Sequence, residues 1–216
     1  MTALLMLGFM LGIRHALEAD HIATVASLAS RYPDRRQVMF QGLAWGLGHS
    51  GMLLLVGLVV LWTDTLIPEQ VASLLEAAVG GLMLVLGLAV LRRVFTADQQ
   101  PEPELRRESE REAGATAAAA PLPVRALMMG SVHGMAGSAA LLLLFVDQVQ
   151  SLFTGLLYIS TFGLGSILGM LLFSLAISVP IGLTAHRLQG WNRMFQLAIG
   201  AVTIVVGARL MISVWG

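Results

Sequence analysis

The chain has 216 residues, 56% of them hydrophobic and only 12% charged, with a formal net charge of zero and a mean hydropathy of +0.79. Soluble domains carry roughly a quarter charged residues, so this is the composition of a membrane protein, and the neutral balance offers no basic footprint for a nucleic-acid partner. Cysteine is absent, which removes disulfides, thiolate metal ligands and thiol redox chemistry together.

The N-terminus shows no basic n-region and no clear small-residue cleavage site, so the first apolar stretch reads as mature structure and not as a removed signal peptide. That stretch, residues 3–29, is interrupted by Arg14-His15-Ala16-Leu17-Glu18-Ala19-Asp20-His21. An Arg or Asp at the centre of a spanning helix costs roughly 2.5–3.5 kcal/mol on insertion scales. Such groups persist only where they face a protein interior or a wet cavity and find partners there. The H-x4-D-H spacing of His15, Asp20 and His21 supplies imidazole and carboxylate donors suited to Ni, Co, Zn, Cu or Fe over Mg and Ca. On an ideal helix at about 100° per residue, Asp20 falls roughly 140° and His21 roughly 240° from His15. No ion beside a straight helix touches all three, so the spacing predicts a kink or unwinding within residues 14–21. Otherwise Asp20 bonds another span and serves as a supporting residue. Arg14 and Glu18 form an i,i+4 pair able to neutralise itself.

Five further apolar runs follow at residues 38–62, 70–94, 125–146, 152–180 and 191–214, each near the length a bilayer requires. The first and fifth of the six runs are long enough to be tilted or broken. The second run contains Gly46-Leu47-Gly48-His49-Ser50, a His-Ser pair among glycines that permits close backbone approach and adds a donor to the same pocket. Residues 96–124 are rich in Arg, Glu, Pro and Ala and read as a disordered linker between two halves, 1–95 and 125–216. The second half opens its own polar interruption at His133. His186 falls at the end of the fifth run and reads as a loop residue. The scattered methionines read as apolar filler.

Arginine sets the orientation. Arg31, Arg35 and Arg36, then Arg92, Arg93, Arg106, Arg107, Arg111 and Arg125, then Arg187 and Arg193 all fall in alternate connections, while the intervening ones hold none. The linker side is therefore cytoplasmic and both termini face outward, in a bacterial inner membrane. The halves also correspond in order. Gly12-Ile13-Arg14-His15 matches Gly130-Ser131-Val132-His133, Trp45-Gly46-Leu47-Gly48 matches Phe162-Gly163-Leu164-Gly165, and Gly80 and Gly87 match Gly200 and Gly207. With three spans per copy the second must be inverted. The expected fold is thus all-α and polytopic, six transmembrane helices as a 3+3 inverted repeat, an arrangement frequent among secondary transporters. Gly8-x3-Gly12, Gly42-x3-Gly46, Gly130-x3-Gly134 and Gly165-x3-Gly169 allow tight helix contact within a monomer or between copies in a homo-oligomer. No phosphate-cradling loop and no nucleophile-base-acid arrangement appears, so an enzyme or an ATP-driven pump is not expected.

These residues resemble a known family. Arg14-His15-Ala16-Leu17-Glu18-Ala19-Asp20-His21-Ile22 is similar to the R-H-A-x-[DE]-A-D-H-I signature of the nickel/cobalt transporters, and Leu47-Gly48-His49-Ser50 to their second, G-H-S signature. Thr161-Phe162-Gly163-Leu164-Gly165-Ser166 lacks the acid that the longer permeases carry in L-G-F-D-T-A. With His133-Gly134-Met135-Ala136-Gly137-Ser138, the chain looks more like the short urease-accessory membrane proteins of that superfamily. The resemblance implies a nickel or cobalt ion as transported substrate and no cofactor. It implies dependence on His15, Asp20, His21 and His49, with His133 as a further candidate metal ligand and Arg14, Glu18 and Ser50 in supporting roles. Uptake, export by a related branch, and metal delivery to a urease or hydrogenase maturation machine all remain compatible with it.

Overall fold

The apolar runs become helices because a bilayer leaves no other way to satisfy their backbone N–H and C=O groups. A computed structural model describes residues 1–32, 34–63, 68–97, 123–146, 151–187 and 189–214; at residues 97, 137–146, 180–187 and 189–190 it describes the backbone alone. Among them are seven helices: α1 (Thr2–His15), α2 (Ala19–Ala29), α3 (Arg35–Thr63), α4 (Glu69–Ala97), α5 (Val124–Val146), α6 (Leu152–Arg187) and α7 (Gln189–Ser213). Within α3, α4, α6 and α7 lie four stretches long and apolar enough to cross a membrane, and α1 with α2 forms a fifth as a bent pair. The described residues are therefore all-helical, and the protein is multi-pass. Residues 98–122, which hold most of the expected linker, and the side chain of His186 lie outside the described residues.

The first apolar run is broken and the fifth is not. α1 and α2 meet at 57°, whereas α6 runs unbroken for 36 residues. At the break the chain tightens before it turns. The Leu17 amide bonds the Arg14 carbonyl at 3.0 Å and the Glu18 amide bonds that of His15 at 3.0 Å, contacts one residue shorter than the α-helical pattern. Glu18 is then extended, at φ −70° and ψ 153°, and α2 begins. Asp20 sits in the first turn of α2, where the helix dipole favours negative charge.

α2 is the central element. Every residue from Ala23 to Ala29 is buried, and the helix contacts α3, α4, α6 and α7. Its small side chains permit this enclosure, and the Ser27 hydroxyl finds a partner inside. Ser27 Oγ lies 2.8 Å from Thr203 Oγ1 on α7, which also bonds the Ala23 carbonyl at 3.2 Å. Around α2 the helices pack as α1 on α6, α3 on α5 and α6, and α4 on α7.

Glycines set the closest of these approaches. A Cβ at Gly12 would run into the Phe162 carbonyl and one at Gly165 into that of Phe9, so α1 and α6 touch backbone to backbone. Gly48 and Gly130 do the same for α3 and α5, against the carbonyls of Leu127 and Trp45. Between α4 and α7 the pairs are Gly80 with Gly207 and Gly87 with Gly200, a Cβ at each lying 2.8–3.2 Å from the partner's carbonyl oxygen. Such stripes of small residues are how helices associate where lipid removes the hydrophobic drive.

Candidate metal centre

The break carries His15 on the last turn of α1 and His21 on the first turn of α2. Had the helix continued, the two rings would have diverged; the turn brings their centroids to 4.3 Å. His49, from the middle of α3, closes the group at 5.3 Å from His15 and 5.0 Å from His21. All three side chains are buried, and one ligand atom from each lies within 4.8 Å of the others.

Hydrogen bonds decide which nitrogens remain for an ion. His15 Nδ1 pairs with Glu18 Oε2 at 3.0 Å, and His21 Nδ1 pairs with Asp20 Oδ1 at 3.0 Å. That leaves His15 Nε2, His21 Nε2 and both nitrogens of His49, none of which has a hydrogen-bond partner among the described residues. A buried polar atom left unmade costs roughly 1–3 kcal/mol, so three such rings side by side are an expensive arrangement for a structural core. Coordination of a divalent ion would offset it. The two carboxylates occupy the positions that fix tautomer and ring orientation in histidine metal sites and raise ligand basicity.

A second group overlaps the first. Asp20 Oδ2 lies 2.8 Å from Nε2 of His133, on α5, and Asp20, His21 and His133 also present ligand atoms within 4.8 Å of one another. His133 Nδ1 is buried and has no hydrogen-bond partner among the described residues. His21 is thus common to both groups.

The walls are aromatic. Trp45 lies one turn before His49 on the same face of α3 and stacks on it at 5.6 Å with an 18° interplanar angle. Phe162, from α6, lies 5.3 Å from His15. These apolar faces exclude water from the rings. Trp45 and Phe162 stood out in the sequence only as matching marks of the two halves; the i,i+4 relation of Trp45 to His49 is a signal that would have placed it on the pocket side.

The structure thus brings together His15, Asp20, His21, His49 and His133. Glu18 joins them through His15 and not by pairing with Arg14, because α1 ends between the two and the i,i+4 geometry of a continuous helix is lost. Arg14 is exposed. Ser50 points elsewhere, donating to the Gly163 carbonyl at 3.0 Å and tying α3 to α6.

The family profile for a high-affinity nickel-transport protein (NicO) matches residues 1–127. The chain is 31% identical over 211 residues to the urease accessory protein UreH of Bacillus sp. (strain TB-90), covering 98% of this chain and 91% of that protein. It is 31% identical over 107 residues to a high-affinity nickel transport protein of Cupriavidus necator and 34% over 97 residues to the hydrogenase nickel incorporation protein HupN of Bradyrhizobium diazoefficiens. Those matches cover 44% and 42% of this chain but only 30% and 25% of the two relatives. No solved structure matches the chain.

Proposed function

Because the chain belongs to the NicO family of high-affinity nickel-transport proteins, we propose that it is a secondary transporter that carries Ni²⁺ across the membrane, and not an enzyme. Its ion site lies among His15, His21 and His49 at the break between α1 and α2. The observation that carries this reading is the set of buried ring nitrogens, without hydrogen-bond partners, that converge from both sides of the break. Asp20 and Glu18 orient two of the rings, and His133 completes the far side. A cobalt ion offers the same ligand preferences and is the second expected substrate.

We assign α5 as the sixth span and read the chain as two inverted three-helix units, 1–95 and 125–216, joined by the 96–124 linker. What supports the repeat is the reciprocity of the glycine contacts. Gly12 meets Phe162 and Gly130 meets Trp45; Gly80 meets Gly207 and Gly87 meets Gly200. Exchanging the halves by the sequence correspondence maps each pair onto the other. The linker faces the cytoplasm and both termini face outward, by the arginine distribution.

The test is flux. Proteoliposomes containing the protein should exchange ⁶³Ni faster than empty vesicles, and His49→Ala should abolish the difference. Wild-type flux equal to that of empty vesicles would refute transport. A second reading, a metal-binding accessory that delivers nickel without moving it across the bilayer, draws on the near full-length similarity to UreH. It requires ion binding without flux.

A further inference from the structure

The two ligand groups share one ring, and they differ in what surrounds them. His15, His21 and His49 are 3%, 0% and 0% exposed and His133 is 1% exposed, whereas Asp20, the one carboxylate of the second group, is 21% exposed. His21 faces Asp20 with Nδ1 and leaves Nε2 without a hydrogen-bond partner. Resting on the transport reading above, we infer that the protein holds its metal ion at two successive positions on either nitrogen of His21. The outer position comprises Asp20, His21 Nδ1 and His133 Nε2, and the inner one comprises His15, His21 Nε2 and His49. The ion lands on the outer group, where a carboxylate supplies negative charge and partial exposure supplies access. It then passes across the imidazole to the closed inner group.

Proton bookkeeping supports sequential rather than simultaneous occupancy. An ion on both nitrogens of His21 would require an imidazolate. With one ion, the ring stays neutral. When the ion is on Nδ1 the proton sits on Nε2; as the ion moves to Nε2 that proton is released to solvent, and Nδ1 takes up another through the partly exposed Asp20 carboxylate beside it. His133 behaves alike, because its second nitrogen, Nδ1, has no hydrogen-bond partner and is available to carry the proton while Nε2 binds. Asp20, released by the departing ion, re-forms the two hydrogen bonds seen here and holds His21 with Nε2 turned to the inner group. Asp20 thus serves the outer position as a ligand and the inner position as a positioning residue.

The experiment follows Co²⁺ binding to the full chain in detergent by stopped-flow absorption, since visible d–d bands report the ligand set. Wild type should fill in two phases. His49→Ala should keep the fast phase and lose the slow one. His133→Ala should lose the fast phase and fill the inner position at least about tenfold more slowly, with the end-point spectrum unchanged. His133→Gln retains an N–H donor for Asp20 while being a poor ligand, and it should fill as slowly as the alanine variant. Wild-type filling by either His133 variant would overturn the relay and leave His133 a mere anchor for Asp20. Absence of any cobalt binding by the wild type would instead remove the metal-site reading on which the relay rests.

Discussion

Replacing Asp20 by Asn removes one charge from the centre and leaves its shape intact, so it isolates the electrostatic part of the site. Asp20 accepts from His21 Nδ1 at 3.0 Å and from His133 Nε2 at 2.8 Å. The amide keeps an oxygen for one ring and turns an NH₂ toward the other. If the oxygen stays with His21, His133 satisfies the NH₂ by moving its proton to Nδ1, which has no hydrogen-bond partner. No hydrogen bond is then lost. What disappears is the carboxylate that raises the basicity of His21 and offsets the charge of a bound ion. Altering such a partner costs about 10–100-fold in metal affinity, or roughly 1.4–2.7 kcal/mol, and the partial exposure of Asp20 favours the lower half of that range. Asp20→Ala, which frees both rings, should exceed it. Calorimetry of Ni²⁺ binding to the detergent-solubilised protein measures the series. An Asp20→Asn affinity within threefold of wild type would refute the idea that this carboxylate tunes the centre.

Further consequences follow from the same geometry. Imidazole must be neutral to ligate, so protons compete with the ion. Nickel affinity should fall once the medium is acid enough to protonate the rings, and calorimetric titrations at successively lower pH measure it; an affinity independent of pH down to acid unfolding would argue against histidine ligation. Gly48→Ala places a methyl against the Leu127 carbonyl and should lower stability by about 1–3 kcal/mol. Gly51→Ala, three residues along the same helix and facing open space, should be neutral or slightly stabilising; thermal melts of the two variants make the comparison. Deleting residues 98–120 should leave ⁶³Ni flux near wild type, whereas a docking scaffold for a soluble partner would lose its function.

The helix runs and the break were readable because each follows from local rules. Run length marked the helices, and the 140° and 240° offsets of Asp20 and His21 made a straight helix incompatible with a shared ion. What the residues around the break bond to was not readable. Glu18 finds His15 only because the turn removes it from Arg14, and an i,i+4 rule presumes the helix that the turn ends. The bond from Asp20 to His133 joins positions 113 residues apart and exists only once α5 is packed on α3. The enclosure of α2 was equally hidden. Ala, Ser and Thr give weak periodicity, and their burial here reflects the small volume that lets four helices close around them. Ser50 shared a motif with His49, but adjacent residues on a helix point about 100° apart, so one faces the rings and the other α6.

Transport through this site requires that a divalent ion sit among three imidazoles at the break between α1 and α2. Metal K-edge absorption of the nickel-loaded protein reads this directly, because imidazole rings give a multiple-scattering pattern that carboxylate and water ligands lack. The wild type should show three imidazoles, and His15→Ala and His49→Ala should each show two. A nickel environment of oxygen donors with no imidazole scattering, or one unchanged in both variants, would contradict it.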